Sequence, residues 1–501
     1  MLTLRRLETL SSQQEYVVRM DGFAGLNMRD DDSIMALEES PKAENVITEG
    51  GRLKRAMGFD AVKWKKDSGQ EVMLRQLPEE IIRLFEFQAA SSETEGYKNL
   101  YYTATDGNLY RFIYNEQLSK VEAEPVSCTD GITGWEYTYF TQYKSGKNNC
   151  ALLGGPNCGP YIYTEDGSYT LVSSQTRPHM EKTAMHFSRM FGIGDPEYPQ
   201  RIWFSKIGDP GDFTASEEAG GYIDITDTIG SAIDIVSFFD TLLVFCRYGI
   251  VAVNTLSVQS DFTVENIFFS DSEIIRGSVT VCGDCVLFAT RYGVYSCNGS
   301  GVSCISNALK GFFDKNTILC RKECSIYFKN CYYLTFHRKT PQEESGLLIY
   351  NIVYRQWQIY TGPEIISMVV CRDRNTEKLL TAFSETTVVM EWGVGENMAT
   401  SGAIQGFWYS PKNDLGLAHA WKTIKEVHFS AWGDGPIQIT VFADEKEQSK
   451  TVILSGQERH YKLPFSLKGH LIGFLIKNTA GSFFSVSPFT FLYTAERDFV
   501  S

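Results

Sequence analysis

The sequence predicts an all-β protein built around a β-propeller of about seven blades, with an N-terminal extended arm and a C-terminal β-sandwich. Three observations carry this reading. The 501 residues include 42 Gly, 26 Tyr and 32 Phe, and aromatic side chains favour strands while glycine favours tight reversals. One hairpin pattern recurs, as LYYTATDGNLYRF at 100–112, LLVFCRYGIVAV at 242–253 and VLFATRYGVYSC at 286–297. In each, an apolar run meets a short polar turn with Gly, and a second strand of alternating character follows. Weaker copies at 150–172, 189–206, 331–360 and 378–393 complete about seven units between residues 80 and 398. Their starts lie roughly 42 to 50 residues apart, the period of propeller blades.

A four-stranded antiparallel sheet cannot bury both of its faces alone, and its outer strands invite other chains. Radial packing of such sheets buries the faces against each other and leaves only short edges. A generic β-sandwich is the competing arrangement of the same strands.

The elements follow in chain order. Residues 1–60 read as an arm of Gly-rich extended segments around one short helix, SIMALEES, opened by Ser33 as N-cap and stopped near Pro41. Residues 61–399 read as the propeller. Within it, SNALKGFFDKN at 306–316 places Leu309, Phe312 and Phe313 at helical spacing, which predicts a short surface helix docked by those three side chains. Residues 400–501 leave the blade spacing. IKEVHFSAW, IQITVFADE, RHYKLPF, HLIGFLIKN and FTFLYTAE predict a small sandwich.

Hydrophobic residues make up 43% and charged residues 22%, which excludes a mainly disordered chain. The 47 Lys+Arg against 61 Asp+Glu give a net charge of −14. That balance argues against a general nucleic-acid binder, since phosphate recognition needs clustered cations. The basic positions Arg52, Lys54, Arg55, Lys63, Lys65 and Lys66 read as solvated loop charges. MLTLRRLETLSS lacks the apolar core of a secretory signal. The longest apolar stretch, Ile233 to Cys246, is broken by Asp234 and Asp240, too short for a membrane span.

No catalytic, cofactor-binding or metal-binding residue is assigned. Cys282 and Cys285 form a CxxC, but Gly283-Asp284 between them reads as a hairpin turn with one Cys ending each strand. Cys320 and Cys324 form a CxxxC, and all these thiols are expected to be structural and reduced, in a cytosolic compartment. The seven His (179, 186, 337, 419, 428, 460, 470) show no metalloprotease spacing. Asp224 and Asp227 read as turn carboxylates rather than a calcium site. Gly154-Gly155 precedes no helix and is no phosphate loop. Asn298-Gly299-Ser300 is a glycosylation sequon by letter only.

One stretch carries a resemblance. DGFAGLNMRDDDSIMALEESPKAENVITEGGRLKRAMGFD contains Gly25-x-Asn27, an acidic and Leu-containing segment, Asn45, and Gly51-Arg52-Leu53-Lys54-Arg55 before Gly58. RIWFSKIGDPGDFT at 201–214, GYIDITDTIGSAIDIVSFFDTLLVFCRYGIVAV and IIRGSVTVCGDCVLFATRYGVYSC follow in order, and WYSPKNDLGLAHAWKTIKEVHF fits more loosely. Together these resemble bacteriophage tail and head–tail completion proteins, of the tail-nozzle type with a β-propeller.

The resemblance implies a non-enzymatic structural virion protein, part of a multimeric nozzle or head–tail conduit through which DNA passes. It also implies a homo-oligomeric ring, hexameric in the family, with other tail, adaptor or portal proteins as partners and localisation in the virion tail. No cofactor is expected, no membrane insertion by this chain, and genomic DNA would pass without specific binding. An acidic wall repels phosphates and lets a duplex slide. Residues 1–60 are expected to act as a clasp, across the propeller or onto a neighbour; the alternative is that they complete a blade of their own subunit. Two other functions stay open. One is a tail-tip hub or receptor-binding component. The other is a propeller glycoside hydrolase acting on host-surface glycan, which needs paired carboxylates in the central cup. Its candidate acids are Glu79-Glu80, Glu217-Glu218 and Glu343-Glu344, and SCTDGITGW at 127–135 is a superficial match to a sialidase box.

Overall fold

The computed structural model describes residues 5–7, 14–66, 68–88, 95–128, 138–165, 167–216, 219–255, 261–318, 324–338, 345–373, 376–384, 386–396, 398 and 402–497. Among these, seven sheets follow one another along the chain, each holding a four-stranded up-and-down antiparallel meander. Their first strands are Ile81–Glu86, Tyr139–Ser145, Lys182–His186, Ala232–Phe238, Thr280–Cys282, Ser325–Phe328 and Ile365–Asp373. These strands sit side by side, and the seventh returns to the first, so the sheets close into a β-propeller. At the junction Leu84 N donates to Ser367 Oγ at 3.0 Å and Arg372 N donates to Glu86 Oε1 at 2.9 Å.

The recurrent hairpins are the second and third strands of their sheets. Leu100–Ala104 with Leu109–Asn115, Thr241–Cys246 with Gly249–Asn254, and Cys285–Thr290 with Gly293–Cys297 all pair antiparallel. Middle strands are covered on both faces, which is why they read as nearly continuous apolar runs. Leu242, Leu243, Val244, Phe245 and Cys246 are all buried. Cys282 and Cys285 stand opposite each other across the Gly283-Asp284 turn, as expected from the spacing, with Gly283 at φ 69°.

Residues 400–501 contribute most of two packed sheets. The larger is built on Ala420–Gly433, paired with Thr490–Arg497, Arg459–Gly469 and Phe484–Val486. The smaller holds Phe407–Tyr409, Ile472–Asn478, Pro436–Ala443 and Lys446–Ile453. Ile424, Val427 and Phe429 of one sheet face Ile439, Val441 and Phe474 of the other in one core, with the Phe474 and Phe491 rings stacked at 3.9 Å.

The N-terminal segment is extended, and its strands are built into the same chain. Gln14–Arg19 pairs with Thr490–Arg497, Lys42–Glu44 with Phe407–Tyr409, and Arg52–Arg55 with Phe484–Val486. Gly58–Ala61 is the outer strand of the seventh blade. The alternative in which this segment completes a blade of its own subunit therefore describes Gly58–Ala61.

The expected helix over SIMALEES is absent; Asp32–Ser40 forms turns. Asp31 captures both the Ser33 amide (2.9 Å) and its hydroxyl (2.7 Å), so Ser33 does not cap a helix. Met35 and Leu37 are buried while Ile34 is exposed, an alternation rather than a helical stripe. The reading of 306–316 fares better. Asn307–Leu309 is one 3-10 turn, Phe312–Lys315 one helical turn, and Leu309, Phe312 and Phe313 are buried in the core.

Candidate functional site

In a propeller, the first strands converge on a hub, and groups at their ends are brought together from distant parts of the chain. Here the hub is laced by polar side chains between consecutive blades. Gln88 N donates to Gln142 Oε1 at 2.9 Å, Thr141 and Thr183 share a hydroxyl bond of 2.7 Å, and His186 Nδ1 meets Ser237 Oγ at 2.8 Å. Thr280 and Ser325 share another of 2.7 Å, and away from the hub, on the second strand of the sixth blade, His337 Nε2 lies 3.5 Å from Glu364. Further out, on the second strands, Phe245 of the fourth blade lies edge-on to Phe288 of the fifth.

At the N-terminal ends of the first strands four charged residues gather. Glu181 pairs with Arg276 at 2.5 Å, and Lys182 pairs with Asp234. Asp234 is fully buried; burial raises its pKa, Lys182 opposes the rise, and among the described residues no hydrogen-bond partner is found for Oδ2. Thr138 Oγ1 donates to the Glu181 carbonyl at 2.7 Å, and Arg83 donates to the Thr138 carbonyl. This constellation holds two acids and three cations, but both acids are committed to cations. A glycosidase needs one free nucleophile or base opposite one free acid.

The acids considered from the sequence lie elsewhere. Glu79-Glu80 precedes the first strand of the first blade, and the Glu80 carbonyl accepts from Thr105 N. Glu217-Glu218, Glu343-Glu344, Cys320 and most of SCTDGITGW lie outside the described residues. Asp224 is held by Arg201 through two bonds of 2.7 and 3.0 Å. Among the described residues, no three His, Cys, Asp or Glu side chains gather as a metal site would require. Burial pushes the Cys246 thiol up to about 12 and raises Cys282 further still, so neither is a thiolate near neutrality.

Two grooves open on the propeller. One, about 510 Å³, lies between the turns of the fourth and fifth blades and is lined by Tyr248, Asp271, Glu273, Arg291 and Tyr292 among others. The other, about 490 Å³, is lined by Lys63, Glu71, Lys329, Glu377, Lys378 and Glu391, among others. Lys378 there is already bonded to Glu391 at 2.8 Å and to the Lys63 carbonyl at 2.6 Å.

The residues carrying the family resemblance have mechanical roles. Leu26 N donates to the Trp357 carbonyl at 3.1 Å, which covers the outer strand of the sixth blade, Gln356–Gly362. A side chain on Gly25 would stand 2.9 Å from Gln356 Cβ. The Asn45 side chain accepts from Thr361 N at 2.8 Å and donates to Thr361 Oγ1 at 2.9 Å. Arg55, read as a solvated charge, is instead buried and donates to the Gly481 carbonyl at 2.6 Å. Tight loops that must accept a buried guanidinium give no local pattern, so the sequence did not mark it.

No family model and no curated protein matches the chain. Solved propeller structures are similar at very low identity. The Neurospora crassa Pan2 WD40 domain is 8% identical, over 67% of this chain and 97% of that one, with TM-score 0.37. YCF48 bound to D1 peptide is 9% identical, over 70% and 100%, with TM-score 0.39. An exo-beta-1,3-galactanase from Phanerochaete chrysosporium is 8% identical, over 74% and 98%, with TM-score 0.30. These likenesses concern architecture and say nothing of activity.

Proposed function

We propose that this chain is a non-enzymatic structural protein of a bacteriophage tail, one copy in a multimeric nozzle or head–tail conduit. The observation that carries the reading is the coincidence between the resemblance and the architecture. Among the residues that mark the resemblance, Arg55 joins the Glu396 carbonyl beside the seventh blade to the Gly481 carbonyl of the sandwich, Asn45 joins Thr361 of the sixth blade to the Gln405 carbonyl, and Gly25 lets the N-terminal segment lie against the sixth blade. A part that must stay rigid while genome passes depends on such ties. The hub supports the negative half of the reading, since its acids are held by cations rather than poised for chemistry.

The hub also bears on where DNA would travel. Seven inner strands at a sheet spacing of about 10 Å enclose a circle about 20 Å across before side chains are added. The Glu181–Arg276 pair further bridges the third and fifth blades at one mouth. In this proposal the duplex runs between copies arranged in a ring, not through one propeller. The net charge of −14 per chain would then be multiplied around the passage, discouraging phosphate binding.

Electron microscopy of the purified full-length protein tests this. Closed rings with a central hole wide enough for a duplex are expected. A strictly monomeric particle at high concentration, together with hydrolysis of a bacterial surface polysaccharide, would reverse the proposal in favour of the glycosidase.

A further inference from the structure

The fourth and fifth blades carry the same three residues at equivalent turns, Arg247-Tyr248-Gly249 and Arg291-Tyr292-Gly293, each joining the second strand to the third. Core packing does not explain the repeated tyrosine. Tyr248 is 43% and Tyr292 68% exposed, and both line the cavity of about 510 Å³. That size lies within the range of small-ligand sites, about 300–1,000 Å³.

The cavity is held open by backbone bonds. The segment from Ser270 to Ile275 is strapped across both turns. Ser270 N donates to the Tyr248 carbonyl at 2.9 Å, Ile274 N to the Arg247 carbonyl at 2.8 Å, and Ile275 N to the Ala289 carbonyl at 2.8 Å. These straps fix the backbone positions from which the two tyrosines, Asp271 and Glu273 project. Glu273 is bound by Arg247 at 2.8 Å. Asp271 and Arg291 have no hydrogen-bonded or ionic partner among the described residues, and both line the cavity.

From this we infer that the groove binds a neutral oligosaccharide. Aromatic faces accept the apolar face of a pyranose ring, while a planar carboxylate and a planar guanidinium each take up a pair of neighbouring hydroxyls. Charge selects among ligands with flat or hydroxylated faces. Asp271 and Glu273 against Arg247 and Arg291 leave the groove without net charge, so a phosphate backbone finds no excess of cations. A proline-rich peptide would need apolar slots between aromatic rings, whereas the free polar groups here, Asp271 and Arg291, ask for hydroxyls. The inference stands on this groove alone and does not depend on the conduit proposal.

The test is saturation-transfer NMR on the full chain with maltohexaose, laminarihexaose, cellohexaose and chitohexaose, followed by titration. At least one is expected to bind with Kd at or below about 1 mM. Tyr292→Ala and Tyr248→Ala should each weaken it about ten-fold or more, with an unchanged melting temperature because both rings are exposed. Asp271→Asn should weaken it while leaving Tyr ring contacts intact. Absence of binding by all four sugars overturns the inference. So does binding insensitive to both tyrosine substitutions, or displacement of the sugar by oligo(dT) or a polyproline peptide at lower concentration. Failure here leaves ring formation by microscopy unaffected, so the two proposals fall separately.

Discussion

Single side chains show most directly how this fold is held. Arg55 is buried with its guanidinium against the Gly481 and Glu396 carbonyls and over the Phe483 ring at 5.6 Å. Removing it takes the donor from both carbonyls and empties the space of a buried side chain, and Arg55→Ala is expected to cost about 2–4 kcal/mol in urea unfolding. Arg55→Lys should recover little of this, because an ammonium cannot span both acceptors. His186 offers a pH-dependent counterpart. It is buried beside Phe187 and bonded to Ser237, and burial lowers its pKa below 6.5. The unfolded chain therefore binds a proton that the folded chain refuses. The stability from this group is full above about pH 6.5 and is lost as pH falls through the depressed folded value, with a slope of at most about 1.4 kcal/mol per pH unit. Melting curves between pH 5 and 8 for wild type and His186→Gln should differ in slope over that window. Equal slopes would mean that His186 is protonated in the fold as readily as outside it.

Strands show where reading a sequence succeeds and where it stops. The doubly covered middle strands were legible because burial on both faces leaves an unbroken apolar run, as in Thr241–Cys246. The outer strands were not, since Gly58–Ala61 carries only GFDA and its partner, Val389–Gly395, lies over 300 residues away. Nothing local announces such a pairing. The groove was equally hidden, because its tyrosines sit in ordinary turn positions and only the ring of blades makes them neighbours. The closing strand nonetheless has a measurable weight. Phe59 meets Phe383 at 4.9 Å, Trp392 at 5.0 Å and Tyr360 at 6.0 Å, which joins the sixth and seventh blades. Phe59→Ala should destabilise by about 3–5 kcal/mol, measured by chemical denaturation. A loss below about 1 kcal/mol would show that the ring does not depend on this strand.

At the scale of the molecule, the propeller and the sandwich are not independent bodies. One continuous apolar core includes Leu287 and Val294 of the fifth blade, Leu334 and Trp357 of the sixth, and Ile424, Ile439 and Phe474 of the sandwich. Val18, Phe23 and Leu53 from the N-terminal segment belong to it too, and Phe23 meets Trp408 edge-on at 5.0 Å. The sandwich therefore lacks five of its strands whenever the first 60 residues are missing: Arg5–Leu7, Gln14–Arg19, Lys42–Glu44, Val46–Glu49 and Arg52–Arg55. Without them, the edges of Thr490–Arg497 and Phe407–Tyr409 would be exposed, and open edges recruit other chains. A fragment of residues 400–501 is thus expected to be unfolded or aggregated by circular dichroism and sedimentation. The intact chain should melt in a single calorimetric transition, since a shared core leaves no boundary at which one part can come apart first. Two resolved transitions, or a soluble folded fragment, would contradict this coupling. The coupling also changes what a truncation experiment means. Deleting residues 1–40 removes sandwich strands as well as any outward reach, so lost ring assembly would not by itself show a clasp. Substituting the exposed Ile34 with Asp, which leaves those strands in place, separates a contact between copies from the integrity of one copy.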